Sequence, residues 1–258
     1  MKRLIYQVYV GKKSALYDHC TDSVAAYCKE YDIDHVIQRS PKLMIRPDPF
    51  SSNRSKEAVE RLGYLPIYEK ENAFDYLKTY DQVAIVDSDI WIRPGAPNIF
   101  DDLEPEYDFG GVVEREMPIT QQYAQKIINY SNMQYGNLSQ WCDFKQNELG
   151  FEFINMGLMV MNKSLLPYLK GMSPKEFITQ GDFKQFVDGI GAYKWSTDQT
   201  LLNYWIKRDN IKVKNMDWKW NGLFSAITKP TEAYFVHFFL KDKLPEQGEN
   251  VVELMKHV

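Results

Sequence analysis

Two carboxylates one residue apart, Asp87 and Asp89, follow the apolar run Val83-Ala84-Ile85-Val86. On an extended chain, residues i and i+2 point to the same side. Like charges held that close repel and raise at least one pKa. A cation between them removes the penalty. Oxygen-only ligands at a strand's carboxyl end suit Mg²⁺ or Mn²⁺, and such ions share their coordination shell with substrate phosphates. The same residues also describe a turn with two solvated acids around a hydrogen-bonded Ser88. The pattern is too short to separate the two readings.

The elements that must position this pair follow from the apolar pattern. Residues 3–10, 33–38, 82–86, 107–113, 153–161, 211–215 and 233–239 read as strands. Residues 14–31 read as a helix with Ser14 as N-cap, and 54–62, 66–79, 163–170, 173–187 and 197–208 also read as helical. Three prolines make 40–50 an irregular loop. Strands alternating with helices predict an α/β sheet with right-handed crossovers. The carboxyl edge of such a sheet is where ligands bind. No repeat or linker interrupts the chain, so one domain over 1–258 is expected, with 118–150 and 217–232 as excursions over one face.

Composition narrows the function. At 258 residues the chain needs no disulfide or metal merely to fold. A formal charge of −4 excludes a broad nucleic-acid or anionic-membrane footprint. No apolar run reaches the ~20 residues of a membrane span. The start, Met-Lys-Arg-Leu-Ile-Tyr-Gln-Val, has the charges of a secretory leader, but Gln7 breaks its short apolar stretch, so it reads as a strand. Cys20, Cys28 and Cys142 form no C-x-x-C pair. Three thiols fit a reducing compartment, so a cytoplasmic location is expected. Cys20 and Cys28, eight apart on a helix, are expected to face the core. A dinucleotide oxidoreductase is disfavoured because no G-x-G-x-x-G follows the first strand.

Two enzyme classes place D-x-D after an apolar strand. In haloacid-dehalogenase-like phosphatases the first Asp is a nucleophile. There the motif sits on the first strand and a second acidic motif follows, for which Asp182 and Asp188 are a near miss in spacing. In GT-A glycosyltransferases the pair holds a metal against a sugar-nucleotide diphosphate, after an N-terminal nucleotide-binding half, as here.

Further segments, in order along the chain, resemble the family-8 retaining glycosyltransferases, the group of glycogenin and bacterial galactosyltransferases. Phe153-Ile154-Asn155-Met156-Gly157 resembles the family's Phe-Asn-x-Gly strand, and Asp198-Gln199-Thr200-Leu201-Leu202-Asn203 its Asp-Gln helix start. His237-Phe238, with Lys243 six residues after the His, resembles its late His-Phe-x-Gly-x-x-Lys segment. Leu240 stands where the family has Gly, and Leu244-Pro245 where it has Pro-Trp. The first strand ends Tyr9-Val10-Gly11 instead of Ala-x-Asp.

The resemblance implies a GT-A fold, a mixed, mostly parallel sheet flanked by helices. It divides the domain into a nucleotide-binding half (1–114) and an acceptor-binding half (115–258). It implies Asp87, Asp89 and His237 as ligands of Mn²⁺, with Mg²⁺ the alternative. Tyr9, Val10, Lys70, Ser88, Asn155, Gly157 and Lys243 would contact the donor, a UDP-sugar. Asp198 would line the donor-sugar pocket, and the Gln199 carbonyl oxygen would lie beneath the anomeric carbon. Glu114 takes a position where relatives carry an acid near the acceptor, a glycan or other hydroxyl compound. The resulting expectation is a metal-dependent retaining hexosyltransferase. The alternatives are a phosphatase using Asp87 and a non-catalytic sugar-nucleotide-binding protein. Residues 115–150, with Trp141, are expected to set acceptor choice.

Overall fold

The computed structural model describes residues 1–54 and 63–258; the helix expected over 54–62 lies almost wholly outside them. β1 (Arg3–Val8), β2 (Asp34–Gln38), β3 (Gln82–Val86), β5 (Phe109–Val113), β8 (Ile154–Asn162) and β9 (Val213–Asn215) form a six-stranded sheet in the order β2-β1-β3-β8-β5-β9. β8 runs antiparallel to both its neighbours and the other pairings are parallel. The strands are apolar throughout because both faces are covered. Leu4, Tyr6, Val83, Ile85, Met159 and Met161 belong to one core. Ile5, Ala84, Val86, Leu158 and Val160, the alternating positions, belong to the other.

Helix α1 (Ala15–Glu30) covers the second face, its Ser14 side chain accepting from Tyr17 N–H as N-cap; Cys20 and Cys28 are buried as expected. A 3-10 helix, Pro66–Lys78, feeds β3. Its Glu69 carboxylate is fully buried and accepts the backbone N–H groups of Lys42, Leu43 and Met44 and the Gln38 amide, which pins the proline-rich loop to the sheet. Helix α2 (Gln121–Tyr135) and the short hairpin β6 (Gln146–Asn147) and β7 (Gly150–Phe151) make up the 118–150 excursion. The region expected to be one helix over 173–187 divides into α3 (Pro174–Ile178) and α4 (Lys184–Val187), separated by a 3-10 turn at Gly181–Phe183. Helix α5 (Asp198–Arg208) packs on β8, and a short α6 (Val251–Leu254) lies near the end of the chain.

A second sheet, of order β10-β11-β4, is built from β4 (Ile90–Ile92), β10 (Gly222–Leu223) and β11 (Phe235–His237). Neither β4 nor β10 is legible as a strand, since two or three residues carry no period. β4 is what joins the middle of the chain to its late segment. After β11 the chain turns through Leu240, whose φ of +57° is left-handed although the residue is not glycine.

Candidate active site

β3 and β8 are antiparallel, so the end of one meets the start of the other. Val86 lies opposite Leu158, and Asp87 N–H donates to Gly157 O at 2.8 Å. β5 ends at the same edge, Val113 opposite Ile154, and delivers Glu114. The Ser88 hydroxyl donates to Val8 O at 3.0 Å and ties the acidic turn to β1. β4 then pairs with β11 in the register that sets His237 opposite Ile90, while Phe238 N–H donates to Asp89 O at 2.9 Å.

That register carries the imidazole to the acids. His237 Nε2 lies 3.2 Å from Asp89 Oδ1 and 3.9 Å from Asp87 Oδ2. One ligand atom from each of Asp87, Asp89 and His237 lies within 4.8 Å of the others. His237 Nδ1 faces Asn221 Oδ1 at 3.0 Å, which assigns Nδ1 as the donor and leaves Nε2 toward the carboxylates. The ring seats on Gly157. A Cβ there would fall 2.3 Å from His237 Cε1 and 2.7 Å from Nδ1, so a side chain and the imidazole exclude each other.

Lys70 reaches the same edge from the Pro66–Lys78 helix. Its ammonium stands 3.0 Å from Asp87 Oδ1 and 2.8 Å from Asp198 Oδ2, and donates to Met156 O at 2.9 Å. Burial works against this charge, but Asp198 and Asp87 outweigh it and raise its pKa. Burial pushes the Asp87 carboxyl up to about 6; Lys70 opposes and Asp89 adds to it. Burial would also raise Asp89, yet the His237 charge and hydrogen bond hold it below the ordinary carboxylate value. Glu71, fully buried behind Lys70, is raised by burial and by Asp198. The edge therefore holds more carboxylate than its lysine neutralises. Two carboxylates and an imidazole whose other nitrogen is already bonded form a donor set that fits Mn²⁺, and Mg²⁺ less well.

A hydrogen-bonded chain runs on from the histidine. Asn221 donates to Asn155 Oδ1 at 2.9 Å, Asn155 donates to Glu114 Oε2 at 2.7 Å, and the Tyr123 hydroxyl donates to Glu114 Oε1 at 2.6 Å. Burial raises Glu114, and the Asn155 and Tyr123 bonds oppose the shift. Helix α5 opens under β8, with Thr197 accepting Gln199 N–H as N-cap. Gln199 Oε1 accepts Met156 N–H at 3.3 Å, and Asn203 clasps both backbone groups of Ile154.

Asp87, Asp89, His237, Lys70, Asp198, Gln199, Asn155, Gly157 and Glu114 thus converge on one edge. Others stand differently. Ser88 spends its hydroxyl on Val8 O. Tyr9 is buried, its hydroxyl accepting Ser14 N–H and Arg39 lying 4.2 Å from its ring centroid; Val10 is half-buried beside it. Lys243 is exposed, whereas Lys241 stands 3.7 Å over the Tyr17 ring. Burial raises the pKa of the Tyr17 hydroxyl, and the fields of Asp89 and Asp87 add to it. Asp188 ties Lys184 to residues 48–52 and Asp182 pairs with Arg208, so neither supplies a second acidic motif beside Asp87. The sequence singled out neither Asn221 nor Glu71, and Tyr123 only as one of the residues 115–150 expected to set acceptor choice. Asn221 and Tyr123 belong to excursions without periodicity, and only their partners in space reveal them.

No protein-family model matches the chain, and no curated protein matches it. Solved structures do. A glycosyltransferase involved in glycosylation of the major capsid of PBCV-1 is 13% identical and superposes over 99% of this chain and 100% of its own, with a TM-score of 0.54. The galactosyltransferase LgtC, in complex with donor and acceptor sugar analogues, is 13% identical over 98% of this chain and 94% of its own, with a TM-score of 0.55. Mouse xyloside xylosyltransferase 1 is 11% identical over 95% of this chain and 100% of its own, with a TM-score of 0.50. The chain has the GT-A fold of glycosyltransferases across its length. Among the described residues no helix is long and apolar enough to cross a membrane.

Proposed function

We propose that this chain is a metal-dependent retaining glycosyltransferase that moves a hexose from a UDP-sugar to a hydroxyl acceptor. The observation that carries the reading is the approach of His237 to Asp87 and Asp89, 150 and 148 residues away in sequence, at the ligand-binding edge of a GT-A sheet. Asp87, Asp89 and His237 would hold the ion. When bound, it supplies Lewis-acid neutralisation of a diphosphate leaving group.

The chain's own residues do the rest. Asn221 fixes the imidazole, and Gly157 gives it room. Lys70 adds fixed positive charge beside the acids, and Lys241 a further one across Tyr17. Asp198 and Asn155 orient the sugar hydroxyls. Gln199 keeps one oxygen lone pair beyond its Met156 bond to face the anomeric centre. A neutral amide is a poor nucleophile. The reading is therefore front-face transfer, with the leaving phosphate taking the acceptor's proton, and not a covalent double displacement. Glu114, on the acceptor side, positions the incoming hydroxyl.

The test is a donor screen with Mn²⁺ that reads free nucleoside diphosphate and the anomeric configuration of the product. Metal-stimulated release should appear with a UDP-hexose, with retained configuration, and vanish in Asp87→Ala/Asp89→Ala. Undiminished metal-stimulated transfer by that variant excludes the metal role. Phosphate release from simple esters, with an aspartyl-phosphate trapped at Asp87, would instead establish the phosphatase reading.

A further inference from the structure

Beyond Glu114 lies a recess of about 270 Å³; Lys243, which the resemblance assigns to the donor, lines it beside residues that have no donor role. Tyr123 and Lys126 of α2 form one wall; Phe224, Ser225, Leu240 and Lys243, from the segments after β10 and β11, form the other. It adjoins the site directly. The Tyr123 hydroxyl is bonded to Glu114, and the Tyr123 ring meets Phe239 edge-on at 5.8 Å, itself 5.8 Å from the His237 ring. Cavities for drug-sized ligands start near 300 Å³, so this one suits about one sugar ring.

Its lining has a specific chemistry. Tyr123 and Phe224 offer aromatic surface of the kind that carries an apolar sugar face. Ser225 Oγ is buried without a hydrogen-bond partner among the described residues. Lys126 and Lys243 are both exposed, and neither pairs with a carboxylate among the described residues. Lys70, Lys145, Lys184, Lys207 and Lys214 are each neutralised by an acid within 3.1 Å, whereas scattered surface lysines such as Lys12 and Lys29 have no acidic partner among the described residues; what marks Lys126 and Lys243 is that two such lysines share one recess. Glu114, the acid that Tyr123 bonds, is buried and also holds Asn155. Asp242, next to Lys243 in the chain, pairs with neither lysine. Two unneutralised cations at one recess, on a chain of net charge −4, select for negative charge in what enters it.

We propose that this recess receives the acceptor and that the acceptor is anionic: a sugar bearing a carboxylate or phosphate, read by Lys126 and Lys243 while its reacting hydroxyl faces Glu114. The inference rests on the glycosyl-transfer reading for the word acceptor, and on Lys126 for its selectivity.

The experiment is equilibrium binding of glucose, glucuronic acid and glucose 6-phosphate to the full chain, with Mn²⁺ and UDP measured on the same samples. At least one anionic sugar should bind roughly 10-fold more tightly than glucose. The two anionic arms tell carboxylate from phosphate. Lys126→Glu should abolish the preference, Lys126→Arg should keep it, and raising the salt should shrink it. Equal binding of all three sugars, or an unchanged preference in Lys126→Glu, overturns the proposal. UDP binding that persists in that case leaves the glycosyl-transfer reading standing. Absence of Mn²⁺-dependent UDP binding refutes that reading, whatever the sugars do.

Discussion

Gly157 and His237 cannot be considered apart. The glycine's missing side chain is where the imidazole ring lies, with a would-be Cβ 2.3 Å from Cε1. Gly157→Ala should therefore displace the ring from Asp89 while leaving the apolar strand paired. Mn²⁺ affinity should fall at least about 10-fold, the change expected when a supporting contact of a metal ligand is lost. Titration calorimetry on the two proteins checks this. Glu114 carries a second residue-level prediction. Its folded pKa is raised, so the folded state holds the proton more tightly than the unfolded chain. Its stabilising contribution is then present below the unfolded value of about 4.3 and lost as pH rises through the folded value. Glu114→Gln can donate to the Tyr123 hydroxyl and accept from Asn155, without a charge to bury. The variant should be the more stable protein at neutral pH, and the gap should close as pH falls toward the unfolded value. Urea midpoints of both proteins across that window measure it.

At the level of elements, β4 and the turn after β11 decide the geometry. β4 is short, yet its register against β11 sets His237 beside the acidic turn. The turn is strained where the sequence departs from the family it resembles. Leu240 sits at φ +57° and ψ 63°, at the position where the motif that this segment resembles has glycine. A left-handed non-glycine residue costs about 1–2 kcal/mol, partly offset by the chain entropy glycine would lose. Leu240→Gly should stabilise by about 0.5–1 kcal/mol, raising Tm by about 2 °C for a chain of this size. A thermal melt reads this. A fall in Tm would show that the 39% exposed leucine contributes more through packing than its backbone costs.

For the whole molecule, the site is a seam. The sheet edge contributes Asp87, Asn155 and Glu114, the Pro66–Lys78 helix Lys70, α5 Asp198, and β11 His237. An ion bridging the acids and the histidine would join the main sheet to the smaller one and bind only the folded chain. At a hundredfold excess over Kd, Mn²⁺ should stabilise by about 2.7 kcal/mol. That corresponds to a Tm rise of about 5–10 °C. Chelation should reverse the rise, and Asp89→Ala should abolish it. The same melt without any metal response would separate this ion-pair network from a metal site.

The strand ahead of Asp87 and the starts of helices α1 and α5 were legible, because burial on both faces writes continuous apolar runs and helix capping writes local signals, whereas the break inside 173–187 was not. Ser14, Gln82–Val86 and the start of α5 at Asp198 fall where the pattern put them. The convergence of Asp87, Asp89 and His237 could be anticipated only through resemblance. It is produced by two- and three-residue strands whose pairing no local period encodes. Asn221 was beyond the sequence for the same reason, and Tyr123 and Lys126 were legible only as members of the 115–150 stretch. Their meaning lies in which charges and hydrogen bonds they meet, and those partners come from segments 9 to 117 residues away, brought together by packing alone.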